Sequence, residues 1–366
     1  MAGKRSIAIL TGGGDCPGIN AVIRALTKKA ILKYGMEVIG IQDGFDGLIR
    51  DRHRKLAYSD VSGILTMGGT ILGTSNISNP YRWAEPKGKE IVFRDVSRTV
   101  LANLRALKVE GLVCVGGDGT LAIAGRLMKD GARIVGVPKT IDNDLCGTDV
   151  TFGFDSAVAV ATDAVDRVHS TAQSHHRIMI VEVMGRRAGW IALYAGVAGG
   201  GDIILIPEIP YSIEAIAAKV NDRKKRGKRF SIIVIAEGAK LVGGEIVVKR
   251  LVEKSFEPVR LGGVGFVLGE QIERATGVET RTVVLGHLQR GGSPTAHDRI
   301  LATQLGAEAV DLIVRKEFGR MVAVRGGSMT SVSLETAAGG PRLVPLDHHL
   351  VAAARALGTS FGDEIS

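Results

Sequence analysis

Two glycine-rich turns each follow a short apolar run and open a helix-like segment: Gly12-Gly13-Gly14-Asp15-Cys16-Pro17-Gly18 and Gly116-Gly117-Asp118-Gly119-Thr120. Glycines let backbone N–H groups converge, and a following helix N-terminus adds partial positive charge, so such turns suit phosphate. Neither is GxxxxGK[ST] or GxGxxG, so neither a P-loop nor a dinucleotide fold is indicated. Either turn alone is equally well read as purely structural. Two of them, one carrying Asp118 where a phosphate would lie, favour a polyphosphate held with Mg2+.

Thr140-Ile141-Asp142-Asn143-Asp144 places two carboxylates two residues apart after a strand-like run. A hydroxyl is a poor nucleophile, and a positioned carboxylate that accepts its proton is the group a phosphoryl transfer needs. A helix-capping turn of the Asx type is the structural alternative, and the two roles are compatible. Met184-Gly185-Arg186-Arg187 and Gly286-His287-Leu288-Gln289-Arg290 also follow apolar runs. Arginines at strand ends favour bidentate contact with a phosphate. His287 alone would be an ordinary structural histidine; with Arg290 three residues on, a phosphosugar site is the better reading.

These residues need a frame that gathers strand ends on one side. The chain of 366 residues alternates short apolar strands with amphipathic helices, the pattern of parallel sheets covered on both faces. Strands are expected over 6–11, 37–42, 112–115, 133–137, 177–183, 203–206, 231–236 and 282–285. Helices are expected over 19–34, 155–173, 213–226 and 297–314 and from Gly119 through Lys129, with a less regular tail from Gly326. The fold class is α/β, with two doubly wound, Rossmann-like parallel-sheet domains and the site in the cleft between them. Ligands in such sheets bind at the carboxyl ends of the strands, where every motif above lies.

Composition narrows the function classes. The net charge is +9, which raises nucleic-acid binding, but aromatic residues are 4% and do not interleave with the basic ones. A pocket for small anions explains the charge better, and the run Arg223-Lys224-Lys225-Arg226-Gly227-Lys228-Arg229 reads as a solvated loop. Three cysteines, Cys16, Cys114 and Cys146, without CxxC spacing argue against a disulfide framework or zinc and fit a reducing compartment. The apolar runs are too short to span a bilayer, and no leader pattern precedes the first strand; cytoplasm is expected, without a membrane partner.

The chain resembles the bacterial-type phosphofructokinases, from about Ile7 to at least Gly326. The resemblance rests on GGDGT at 116–120, PKTIDND at 138–144, SHHR at 174–177, EVMGR at 182–186, AEG at 236–238 and ETRTVVLGHLQRGGSP at 279–294, all in the family's order. It implies Mg2+-dependent phosphoryl transfer to the 1-hydroxyl of fructose 6-phosphate. Asp142 then matches the general base, within a catalytic loop of Thr140, Asp142 and Asp144, and Arg186 matches the arginine that bridges the transferring group. Met184, Gly185, Glu237, His287 and Arg290 match the sugar-phosphate pocket, with Thr140, Asp142 and Arg186 at its inner end. Arg177 and Arg281 match arginines given by a neighbouring subunit, which implies a homotetramer or homodimer. Gly13, Gly14, Asn76, Gly117, Asp118, Gly119, Thr120 and Lys139 match the donor site, with Asp118 as metal ligand. The implied domains are residues 1–153 with 289–339 for the donor, and 154–288 with 340–366 for the sugar.

The resemblance implies ATP as the donor, with pyrophosphate as the alternative; longer ATP-using relatives combine, as this chain does, a glycine at the place of Gly119 with a lysine at that of Lys139. Gly119 leaves open the space of an α-phosphate, where pyrophosphate users usually carry aspartate. Lys139 stands where short ATP enzymes have glycine and pyrophosphate enzymes have lysine. Asn76 replaces an arginine that grips the donor, and Ile123 replaces a glycine beside the nucleotide. Arg24, Lys28, Asp202, Arg226 and Lys228 match an allosteric anion site in which Tyr58 and His169 replace two arginines. NAD and lipid kinases share GGDGT but lack the GHLQRGGSP segment. A non-catalytic phosphosugar-binding subunit would be expected to have lost Asp118, Asp142 or Arg186, and all three are present.

Overall fold

The computed structural model describes residues 5–87, 90–251 and 259–364. Its largest sheet has seven strands in the order Ser328–Ser333, Arg320–Arg325, Ile134–Pro138, Leu112–Gly116, Ser6–Thr11, Glu37–Ile41 and His53–Leu56. The five inner strands are parallel, while the two edges, Ser328–Ser333 and His53–Leu56, pair antiparallel. The expected parallel sheet is therefore mixed at its margins. Ser328–Ser333 is mostly polar and partly exposed, as suits a strand open to water at a sheet edge, and an edge strand can return by a hairpin without a crossover helix.

A second sheet has four strands, all parallel, in the order Thr280–Val284, Ile178–Val183, Ser231–Ala236 and Ile203–Leu205. Its central strands are buried and mostly apolar because helices cover both faces, and the one carboxylate in them, Glu182, accepts from the Gly263 and Gly265 N–H groups. Ile178–Val183 and Ser231–Ala236 are buried at every position, and each fully buried Ile or Val contributes about 2 kcal/mol. The helices Ile19–Tyr34 and Ala296–Val314 cross closely enough that a methyl group on Gly306 would lie 2.7 Å from the Val22 carbonyl oxygen.

Expected and observed elements agree within a few residues where the pattern is strong. The helix Ile19–Tyr34 falls where expected because both flanking residues, Gly18 and Gly35, take left-handed backbone that ends the periodic run. The tail is more regular than its composition suggests. It supplies one strand of the large sheet, Ser328–Ser333, then the helix His349–Ala356, which packs on the helix Trp190–Ala198. The basic run is half helix: Arg223, Lys224 and Lys225 close the helix Ile213–Lys225, and the remainder is an exposed turn. Among the described residues, no helix is long and apolar enough to cross a membrane.

Candidate active site

Three neighbouring parallel strands of the large sheet release their loops side by side. Thr11 leads into Gly12–Gly14, Gly116 into Gly117 and Asp118, and Pro138 into Lys139 and the Thr140–Asp144 turn. Thr120 fills the space between the two glycine turns. A methyl on Gly12 would stand 2.8 Å from Thr120 Oγ1, and one on Gly116 would stand 2.3 Å from Thr120 Cβ. Glycine is required at both because the loops approach this side chain so closely. Lys139 is buried, and its Nζ donates to the Gly14 carbonyl. Burial pulls its pKa down, since a desolvated ammonium has lost its water, while the nearby Asp15 and Asp142 act the other way.

Asp118 starts the helix Asp118–Lys129, where its Oδ1 accepts from the Gly119 N–H at 2.7 Å. Its Oδ2 faces Arg187 at 3.8 Å, a contact that joins loops of the two sheets. Asn76 is exposed beside the first glycine turn. Its neighbour Ser75 accepts from the Gly13 N–H at 3.1 Å, and Thr74 donates to the Gly13 carbonyl at 2.6 Å. Ile123 is buried in the core under this helix.

The Thr140–Asp144 turn is held from within. Thr140 Oγ1 accepts from the Asp142 N–H at 3.1 Å and lies 3.4 Å from Asp144 Oδ1. Asn143 has φ of 51°, a left-handed backbone that asparagine tolerates better than most residues, and its Oδ1 accepts from the Thr151 N–H at 3.0 Å.

From the second sheet, the adjacent strands ending at Val183 and Ala236 give Met184–Arg186 and Glu237, and the one ending at Val284 leads to the turn Gly286–Arg290. Gly185 has φ of 138°, and a methyl on Gly238 would lie 2.0 Å from the Arg186 carbonyl oxygen, so these loops stack backbone on backbone. Gln289 is fully buried. Its Oε1 accepts from the Met184 N–H at 3.3 Å and its Nε2 donates to the Gly286 carbonyl at 3.1 Å, which locks the two arginine-bearing loops together. Sequence reasoning gave Gln289 no role; its place inside the GHLQR segment was the only available signal.

The two sets of loops meet. Arg290 donates to the Asp15 carbonyl at 3.1 Å, and a methyl on Gly14 would lie 2.7 Å from its guanidinium. Burial, then the charges of Asp142 and Glu182, push the Glu237 carboxyl up to about 7, while Arg290 and Arg186 pull it down. Asp142, Arg186, Glu237 and Arg290 therefore share one electrostatic neighbourhood. His287 stays exposed at its rim.

Arg177 and Arg281 stand apart. Arg177 precedes its strand and Arg281 is the second residue of its own, both at the ends away from these loops, and both bind Glu279, Arg177 through Nε at 2.5 Å. Six strand residues separate Arg177 from Met184, which at the rise of an extended chain is roughly 20 Å. In the anion site suggested by the sequence, Lys28 donates to the Tyr58 hydroxyl at 3.1 Å, and Arg223 pairs with Asp202 at 2.5 Å.

A scaffold that faces phosphate-type loops of one sheet with arginine and carboxylate loops of another is that of a two-domain α/β phosphotransferase. A family model described as "Phosphofructokinase" matches residues 6–313, and the chain belongs to that family. "ATP-dependent 6-phosphofructokinase 2" of Clostridium perfringens is 52% identical, over 98% of this chain and 99% of its own. "Pyrophosphate--fructose 6-phosphate 1-phosphotransferase" of Amycolatopsis methanolica is 49% identical, over 94% of this chain and 97% of its own. Among solved structures, phosphofructokinase from Saccharomyces cerevisiae superposes with a TM-score of 0.77 at 30% identity. That match covers 99% of this chain and 48% of the yeast chain, so this chain spans about half the yeast protein's length.

Proposed function

We propose that this protein moves the terminal phosphoryl group of ATP onto the 1-hydroxyl of fructose 6-phosphate, giving ADP and fructose 1,6-bisphosphate. The observation that carries the proposal is the meeting of loops from both sheets, where Arg290 donates to the Asp15 carbonyl at 3.1 Å and Asp118 faces Arg187 at 3.8 Å. Asp142 takes the proton of the sugar 1-hydroxyl as that oxygen bonds to the γ-phosphorus and the bond to the β-phosphate oxygen breaks. Arg186 stabilises the charge on the transferring group, and Thr140 and Asp144 hold the Asp142 turn. Arg290 and His287 receive the 6-phosphate, and Glu237 accepts from sugar hydroxyls beside Met184 and Gly185. Gly13, Gly14, Asn76, Gly117, Gly119, Thr120 and Lys139 line the donor's place. One oriented carboxylate beside a phosphate cradle fits Mg2+, so Asp118 would hold it. Bound there, the ion offsets phosphate charge.

The donor domain is assigned to residues 1–153 with 289–339, and the sugar domain to 154–288 with 340–366. Arg177 and Arg281 serve the sugar site of an adjacent copy in a homotetramer or homodimer, in the cytoplasm. Pyrophosphate is the second reading for the donor. Lys139, standing where pyrophosphate enzymes have lysine, is consistent with it, as is the similarity to the Amycolatopsis protein. The 52% identical Clostridium relative, named as ATP-dependent, and the small Gly119 favour ATP. Assaying the purified protein with fructose 6-phosphate and Mg2+, with ATP and pyrophosphate in parallel, distinguishes them. Turnover with ATP is expected; turnover with pyrophosphate alone would reassign the donor, and turnover with neither would overturn the function.

A further inference from the structure

The segment 341–344 lies far along the chain from every motif that carries chemistry, yet it touches two of them. The Arg342 N–H donates to the Asp144 carbonyl at 2.7 Å, and Leu145 and Pro341 form an isolated antiparallel bridge. The Arg342 guanidinium donates twice to the Asn143 carbonyl, through Nε at 3.2 Å and NH2 at 2.8 Å. These bonds fall on the residue that follows Asp142 and carries the left-handed backbone. Such a conformation costs about 1 kcal/mol or more and persists only where the surroundings over-determine it.

The same segment grips the turn that follows Arg186. The Arg342 carbonyl accepts from Trp190 Nε1 at 2.9 Å, and its guanidinium lies 4.6 Å from the centre of the Trp190 ring. Two residues on, the Val344 N–H donates to Glu208 at 2.8 Å, and the same carboxylate accepts from the Gly189 N–H at 3.0 Å. One short strap thus binds the back of the Asp142 turn and the back of the Arg186 turn. Helix Trp190–Ala198 anchors it from the sugar-domain side.

We infer that Arg342 is a positioning residue. It holds Asn143 in its left-handed conformation and so fixes the Asp142 carboxylate in register with Arg186. It has no contact role with substrate; it acts through the backbone of the catalytic turn. The inference rests on the assignment of Asp142 as general base. A misplacement of a base by about 1 Å costs about a hundredfold in rate, whereas a sugar phosphate gripped at its far end keeps its affinity.

The test compares Arg342→Ala, Arg342→Lys and Asp142→Ser with the full-length protein, measuring kcat, KM for fructose 6-phosphate and the melting temperature. Arg342→Ala is expected to lose about a hundredfold in kcat, with KM unchanged within about twofold and an intact melt. Guanidinium ion at non-denaturing concentration should restore part of that kcat, and methylammonium should not. Arg342→Lys keeps the charge over the indole but loses the paired donors, so an intermediate kcat is expected; if Arg342→Ala fails to fold, this variant decides alone. Full kcat in either foldable Arg342 variant, while Asp142→Ser is inactive, would overturn the inference by itself. A parallel rise in KM without guanidinium rescue would do the same. Retained turnover in Asp142→Ser would overturn the base assignment and the inference with it.

Discussion

Replacing Glu237 with Gln removes one charge from the meeting point of the two sheets and leaves its shape almost unchanged. The Glu237 carboxyl is raised from an ordinary 4.5 to about 7, first by burial, then by Asp142 and Glu182. At about 1.4 kcal/mol per unit, ionising it in the folded protein costs about 3 kcal/mol more than in the unfolded chain. The sign follows from proton counting. Below the unfolded value both states hold the proton and nothing is lost. Between 4.5 and about 7 the unfolded chain releases a proton that the folded chain keeps, so wild-type stability falls as pH rises. Above the folded value the whole cost is present. Part of it already acts at about pH 5, so from there to about pH 8 Glu237→Gln should gain about 2 kcal/mol of stability over wild type. Denaturant unfolding of both proteins at the two pH values measures this. In an Asp142→Asn background the gain should shrink, because a neighbouring negative charge has gone. A pH-independent difference between the two proteins would refute the buried, charge-crowded placement of Glu237. A gain that ignores Asp142→Asn would refute the proximity of the two carboxylates.

Two further substitutions probe the donor and the assembly. Gly119→Asp puts a carboxylate beside Asp118 where the α-phosphate of ATP would lie; ATP turnover should vanish while any pyrophosphate turnover survives, and undiminished ATP turnover would discredit the steric reading of Gly119. Arg177→Ala and Asp142→Ser should each be inactive alone. Mixed and allowed to exchange subunits, they should regain activity, because a hybrid contains sites with both residues intact; a full-activity monomer, or no recovery after demonstrated exchange, would contradict the sharing of sites.

What could be read from the amino-acid order was local. Ser231–Ala236 is an unbroken buried run bounded by Phe230 and Glu237, and its limits fall where the periodicity places them. The loops after Thr11, Gly116 and Pro138 were legible for the same reason, as breaks in apolar runs marked by glycine or proline. The helix Trp190–Ala198 was not expected, because a segment apolar on all sides shows no amphipathic period to read. Ser328–Ser333 was hidden by its polar edge-strand composition. Contacts between distant segments left no local trace: the Arg342 bonds to Asn143 span 199 positions, and the Arg290 bond to Asp15 spans 275. Arg177 and Arg281 carry the same residue type as Arg186 and Arg290, and only strand direction separates the two pairs, because Arg177 precedes a strand that Arg186 follows.

The general-base assignment is tested most directly by Asp142→Ser, with turnover and equilibrium binding of fructose 6-phosphate measured on the same preparation. Loss of the proton acceptor should lower kcat by about a thousandfold or more while the sugar phosphate still binds through Arg290 and Glu237. Unchanged turnover, or loss of binding in step with loss of turnover, would contradict Asp142 as the base.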